Sequence, residues 1–195
     1  TNYSISDKGL KGTLSWGSSS LDFQSKLIGA FNLENIVLAA TIALELKISS
    51  NQISNGIKNC SNIDGRLQLV ENPFNQKIFL DYGHTPDAYL KVLKTLKDSF
   101  SMPLKVLFGA GGGRDKSKRP KMAKVVEEFS IECYLAPDNP RFEDINLINA
   151  DVESGFSKKN YHSFDDRKIA LEFALSNLKP DEILIIFGKG SEEYQ

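Results

Sequence analysis

Glu182-Ile-Leu-Ile-Ile-Phe187 is the run that decides the fold. Its apolar residues leave no polar face, which suits a strand covered on both sides, as in a parallel sheet wrapped by helices. Working back along the chain, Lys77 to Asp81, Leu104 to Phe108 and Glu132 to Ala136 read as further strands, and Tyr161 to Phe164 as a short one. Helical patterns fall between them. Pro86 suits a first helical turn, and Tyr89, Leu93, Leu96 and Phe100 form a stripe behind it. Helices are also predicted over Arg119 to Phe129, Asp144 to Glu153 and Asp165 to Leu178, the last presenting Ile169, Leu171, Phe173 and Leu175. Strand alternating with helix implies an open, mostly parallel α/β sheet with flanking helices.

Upstream the pattern changes. Gly12 to Trp16 and Leu21 to Leu27 have β character broken by Gly and Ser, as in a hairpin or edge strands. Asn32 is placed to cap a helix running to about Lys47, with Ile36, Ala39, Ala40, Ala43 and Leu44 on one face. A second helix starts at Ser49 or Ser50, spaced by Ile53 and Ile57. Asp64-Gly65-Arg66 breaks the pattern and separates residues 1–64 from 65–195. A chain of 195 residues suits one domain, or one and a piece. It opens on Thr1-Asn2-Tyr3 and stops soon after a glycine-rich turn, so a fragment of a longer polypeptide is expected.

Composition excludes several classes. At 41% hydrophobic residues the chain can bury a core, and a net charge of −1 gives no electrostatic case for nucleic acid or an anionic membrane. Cys60 and Cys133 lie far apart without metal-ligand spacing, so reduced thiols and an intracellular protein are expected. No apolar stretch approaches membrane-spanning length.

The chemistry sits at the strand ends. The predicted strands run into Asp81-Tyr82-Gly83-His84-Thr85-Pro86-Asp87, Gly109 to Asp115, Asp138-Asn139-Pro140-Arg141 and Gly188-Lys189-Gly190-Ser191-Glu192. In a parallel sheet these converge on one rim, where ligands bind. Arg141 offers a planar fork for a carboxylate and Asp138 can meet an ammonium, so the tetrapeptide can grip both charges of an amino acid. Alone it also reads as a polar turn. His84 alone reads more readily as a hydrogen-bonded turn residue than as a catalyst. The glycines at 109–113 lack the Gly-Lys-Ser/Thr of a P-loop, and Arg114 stands where a dinucleotide fingerprint needs its third glycine. They read as a turn that brings Arg114 toward a ligand, and Gly188-Lys189-Gly190 is open to the same plain reading.

As a set, Gly29 to Asn35, Asp64 to Arg66, Asp81 to Asp87, Gly109 to Pro120, Asp138 to Arg141 and Gly188 to Glu192 resemble the Mur ligase family, ATP-dependent amino-acid ligases of peptidoglycan precursor synthesis. The resemblance is strongest to the branch that adds meso-diaminopimelate to UDP-MurNAc-L-Ala-D-Glu. It implies that residues 1–64 are the end of a central P-loop ATPase domain and residues 65–195 a C-terminal, Rossmann-like domain that receives the amino acid. It implies that Asp138, Asn139, Pro140 and Arg141 recognise diaminopimelate, with Arg114, Gly188 and Glu192 as further contacts. Arg141 and Arg114 would meet carboxylates, and Glu192 an ammonium. Asn35, Arg66 and Asp81 match positions on the ATP side. No residue is assigned as catalytic or as a metal ligand, and His84 takes no role. ATP and Mg2+ are implied as bound mostly outside this chain, in a cytoplasmic, monomeric enzyme.

This sequence departs from the family in having Ser191 for the usual His and Gly83 for the usual Ala. It also has no P-loop, no magnesium-binding carboxylate segment and no counterpart of the family's carbamylated lysine, so the isolated chain is expected to be inactive. A folylpolyglutamate synthase-like ligase shares the Gly-Arg and Asp-x-x-His neighbourhoods but lacks Asp-Asn-Pro-Arg. A stand-alone amino-acid-binding module is the non-enzymatic alternative. A dinucleotide-dependent oxidoreductase is disfavoured for want of its glycine fingerprint.

Overall fold

Residues 2–189 are described by the computed structural model. They form two units that change over between Ile63 and Asp64.

In the first unit, strands β1 (Asn2–Ser6), β2 (Gly9–Trp16) and β3 (Ser19–Ser25) make an antiparallel meander. Leu10, Leu14, Leu21 and Phe23 turn one face of it inward, following the period of two along a strand. Helices α1 (Ala30–Glu45) and α2 (Ser50–Asn59) contribute Leu33, Ile36, Ala40 and Ile53 to the same core. Helix α1 starts earlier than predicted. Gly29, at φ 92°, breaks the chain ahead of it, and its carbonyl accepts the Asn32 and Leu33 amides at 3.1 and 3.4 Å. Asn32 is therefore inside the helix and buried, its side chain donating to the Ile28 carbonyl at 2.9 Å. Ala39, assigned to the apolar face from sequence, is exposed. Helix α2 begins with Ser49 and Gln52 in a reciprocal capping box, which satisfies amides that the first turn leaves unpaired.

In the second unit, β4 (Gln68–Leu69), β5 (Lys77–Asp81), β6 (Leu104–Phe108), β7 (Glu132–Leu135), β8 (Tyr161–Ser163) and β9 (Ile183–Phe187) form one sheet in the order β4-β5-β9-β6-β7-β8. Strand β4 pairs antiparallel with β5, and every other pair is parallel. The last strand in sequence is thus inserted at the centre, which is why its apolar run is continuous. Strand β4 went unpredicted because two residues carry no periodicity. Helices α3 (Pro86–Ser99), α4 (Arg119–Phe129), α5 (Ile145–Glu153) and α6 (Arg167–Ser176) connect the strands. A short 3-10 turn at Lys116–Lys118 precedes α4.

Helix α6 keeps only part of the face predicted for it, Leu171 and Leu175 packing half-buried against the core. Ala170 and Ala174 face the sheet and pack with Leu107, Tyr134 and Leu184, while Ile169 and Phe173 are exposed by 58% and 37%. Small residues four apart let the helix approach the sheet closely, and this outweighs the larger apolar side chains. At the amino ends of the central strands, buried Lys105 meets Glu132 at 2.9 Å and Glu182 at 3.1 Å and donates to the Asn177 carbonyl at 2.7 Å. A buried charge is tolerated only when paired in this way. The described residues contain no helix long and apolar enough to cross a membrane.

Candidate functional site

Strands β5, β9, β6 and β7 are parallel and adjacent in that order, so their carboxyl ends line one edge of the second unit. Four of the predicted motifs follow these ends. The geometry brings all four into contact.

Asp138, buried at the exit of β7, places Oδ2 3.8 Å from Nε2 of His84, which follows β5. Gly188 sits beside this pair, its amide donating to the Asp81 carbonyl at 3.0 Å. Its φ is +104°, and a Cβ there would meet Asp138 Oδ2 at 3.2 Å, so a side chain would be both strained and crowded. Below, Arg167 reaches from the start of α6 to donate to the Phe187 carbonyl at 2.6 Å and the Pro137 carbonyl at 3.4 Å. Burial lowers the Arg167 guanidinium from its ordinary value, and the Asp138 charge works against that shift. Tyr89 of α3 is fully buried and stacks on Phe187 with centroids 4.1 Å apart, backing the same strand ends.

Asp138-Asn139-Pro140-Arg141 forms the turn that its residue types suggest. Asp138 Oδ1 accepts the Asn139 amide at 2.7 Å, and Asn139 Oδ1 accepts the Arg141 amide at 3.2 Å. Arg141 has a φ of +50°, uncommon for a side chain of its size. This turn lies against the glycine loop after β6. The Gly112 amide donates to the Asn139 carbonyl at 2.9 Å, and Arg141 Nη1 donates to the Gly112 carbonyl at 2.6 Å. A Cβ at Gly112 would fall 1.9 Å from the Pro140 carbonyl oxygen, so only glycine permits this approach. Arg114 is exposed just beyond and makes no hydrogen bond or ion pair among the described residues.

Residues not picked out from sequence hold the two loops together. Arg119 is fully buried and donates to Glu143 through Nη1 and Nη2 at 3.1 Å, to Asp151 at 2.8 Å and to the Gly111 carbonyl at 3.2 Å. Glu143 also accepts the Gly113 amide at 2.6 Å and pairs with Lys116 at 3.1 Å. The Gly113 amide and the Lys116 and Arg119 cations hold its carboxyl down at about 2. Lys118 Nζ donates to the His84 carbonyl at 3.0 Å, tying the glycine loop's far end to the β5 loop. Arg119 and Glu143 are 24 positions apart, and no local pattern announces such a pair.

The residues expected on a nucleotide side are Asp81, Arg66 and Asn35. Asp81 is buried, and its oxygens accept the Leu67 and Gly83 amides, each at 2.8 Å. Burial raises its pKa, against those two hydrogen bonds. Arg66 is exposed, with its guanidinium carbon 5.9 Å from the Tyr82 ring centroid, within cation–π range. Asn35 lies in the first unit on α1, exposed, donating to Asn32 Oδ1 at 3.4 Å. Glu192 lies outside the described residues, as does Ser191. The described residues hold no group of three His, Cys, Asp or Glu placed to bind a metal ion.

Residues 65–190 match the family described as Mur ligase, glutamate ligase domain. The UDP-N-acetylmuramoyl-L-alanyl-D-glutamate--2,6-diaminopimelate ligase of Bacillus licheniformis is 37% identical over 194 residues, covering 100% of this chain and 40% of that protein. The corresponding ligase of Haemophilus influenzae is 36% identical over 182 residues, or 93% and 37%. A solved structure of such a ligase superposes with a TM-score of 0.68 at 34% identity, covering 100% and 40%. Mycobacterium tuberculosis folylpolyglutamate synthase gives a TM-score of 0.77 at 18% identity over 96% and 44%, a likeness of fold alone. The chain thus spans about 40% of the length of the curated relatives it matches.

Proposed function

Because the chain belongs to the Mur ligase family, we propose that it carries the amino-acid-receiving part of an ATP-dependent ligase that joins meso-diaminopimelate to UDP-MurNAc-L-Ala-D-Glu. The observation that carries this reading is the single rim on which buried Asp138, Gly188 and Arg141 stand together. An amino acid needs an anion for its ammonium and a guanidinium for its carboxylate. Diaminopimelate carries both groups twice. Arg141, with Nη1 committed to Gly112, keeps the rest of its fork for one carboxylate. Arg114, exposed on the adjoining loop, is the candidate for the second. Asp138 would meet an ammonium, and Asn139 and Pro140 shape the turn between them. Gly188 leaves room beside Asp138, and Glu192 completes the proposed set.

In the ligase so proposed, the D-glutamate carboxylate takes the γ-phosphoryl group of ATP to form an acyl phosphate. The diaminopimelate amine then attacks, and the tetrahedral intermediate expels phosphate. This chain's share is to orient the amine, a contribution of positioning and charge neutralisation. Residues 1–64 are proposed as the end of the ATPase domain and 65–195 as the amino-acid domain, with Asn35, Arg66 and Asp81 toward the nucleotide. ATP and Mg2+ are proposed as held chiefly by residues outside this chain, in a cytoplasmic monomer. The folylpolyglutamate alternative has the fold in its favour, but Asp138-Asn139-Pro140-Arg141 argues for the diaminopimelate branch.

Calorimetric titration of the chain with meso-diaminopimelate, beside L-lysine and an Arg141→Ala variant, tests the reading. Diaminopimelate should bind more tightly than lysine, and the variant should lose that preference. Preference for lysine would overturn the assignment of Arg141.

A further inference from the structure

Resting on that reading, we propose that Glu143 is a positioning residue that sets the spacing of Arg114 and Arg141, and with it the choice of an amino acid with two carboxylates over one with a single carboxylate. The two arginines stand on separate loops, one after β6 and one after β7, and neither loop is regular structure. Something must fix one loop against the other. Glu143 lies two residues beyond Arg141 and accepts the amide of Gly113, the residue immediately before Arg114. Its carboxylate is in turn clamped by Arg119, whose side chain is 1% exposed. Arg119 also holds the Gly111 carbonyl and Asp151 of α5, so the clamp is anchored in two helices rather than in the loops it joins.

The anchoring has an observable asymmetry. Arg119 Nε is buried without a partner among the described residues, so the guanidinium gives up one donor to keep its fork on Glu143, Asp151 and Gly111. An unmade buried bond is costly, and this one is tolerated where two loops must be held in one register. The direct loop-to-loop bonds, from Gly112 to Asn139 and from Arg141 to Gly112, complete the register that the clamp imposes.

Glu143→Gln keeps the shape but removes the charge and turns an amide NH2 toward Arg119. The expected result is a loss of roughly tenfold or more in meso-diaminopimelate affinity, the scale of one charge-assisted hydrogen bond. L-lysine, which uses only one arginine, should change by less than about twofold. Glu143→Asp keeps a charge beside Arg119 but falls short of Gly113, and should weaken diaminopimelate binding in the same selective way. It carries the test if the Gln variant does not fold. Unchanged diaminopimelate affinity in the variants, or parallel loss for both amino acids, would overturn the role of Glu143 while leaving the substrate reading intact. Failure of the unaltered chain to prefer diaminopimelate would overturn the reading itself, and this inference with it.

Discussion

Nε2 of His84 stands 3.8 Å from Oδ2 of Asp138, although the strands that deliver them, β5 and β7, are separated in the sheet by β9 and β6. Gly188, at the end of the inserted β9, lies beside Asp138, where a Cβ would come within 3.2 Å of Oδ2. A buried carboxylate with a histidine above it and Arg167 nearby is held in place from several sides.

Asp138→Asn preserves the size of the side chain and removes its charge. If Asp138 meets an ammonium, affinity for diaminopimelate should fall by about tenfold or more, because a charge-assisted bond becomes a neutral one. Calorimetric titration checks it. A lower melting temperature with unaltered affinity would reduce Asp138 to a turn residue.

Glu143 supplies a prediction in acid. Its carboxyl is held down to about 2 from an ordinary 4.5 by the Gly113 amide, Lys116 and Arg119. A group depressed on folding favours the folded state fully above its unfolded value. That contribution fades as pH drops from about 4.5 toward 2. The Gly113 amide resonance, followed by NMR, should therefore keep its hydrogen-bonded shift through pH 4 and lose it only near the folded value. A midpoint near the ordinary carboxylate value would show that the clamp is open in solution.

Lys105 predicts a large stability effect far from the rim. Removing it by Lys105→Ala leaves buried Glu182 and half-buried Glu132 without their shared cation. Breaking a buried pair from one side costs about 3–5 kcal/mol. Urea unfolding should show a loss of that order, and a change under 1 kcal/mol would mean that water reaches the cluster.

The chain by itself is expected to perform no ATP-dependent ligation. Its sequence has no P-loop lysine for the phosphates of ATP. Incubation with UDP-MurNAc-L-Ala-D-Glu, meso-diaminopimelate, ATP and Mg2+ should yield neither tripeptide nor phosphate, and either product would refute the proposed division of labour.

What the sequence determined by itself was whatever has a local cause. Apolar runs placed β5, β6 and β9 to the residue or within one of it, because side-chain period and strand burial are properties of neighbouring positions. Pro86, Ser49 and Asp144 marked helix starts for the same reason. The loop motifs were legible because turn chemistry and charge sit in consecutive residues. The tertiary structure alone decided what depends on distance along the chain. It inserted β9 between β5 and β6, set Ala170 and Ala174 rather than Ile169 and Phe173 against the sheet, and brought Arg119 to Glu143. Each is a long-range packing outcome, in which close approach or the pairing of a buried charge outweighs local preference, and no window of neighbouring residues contains both partners.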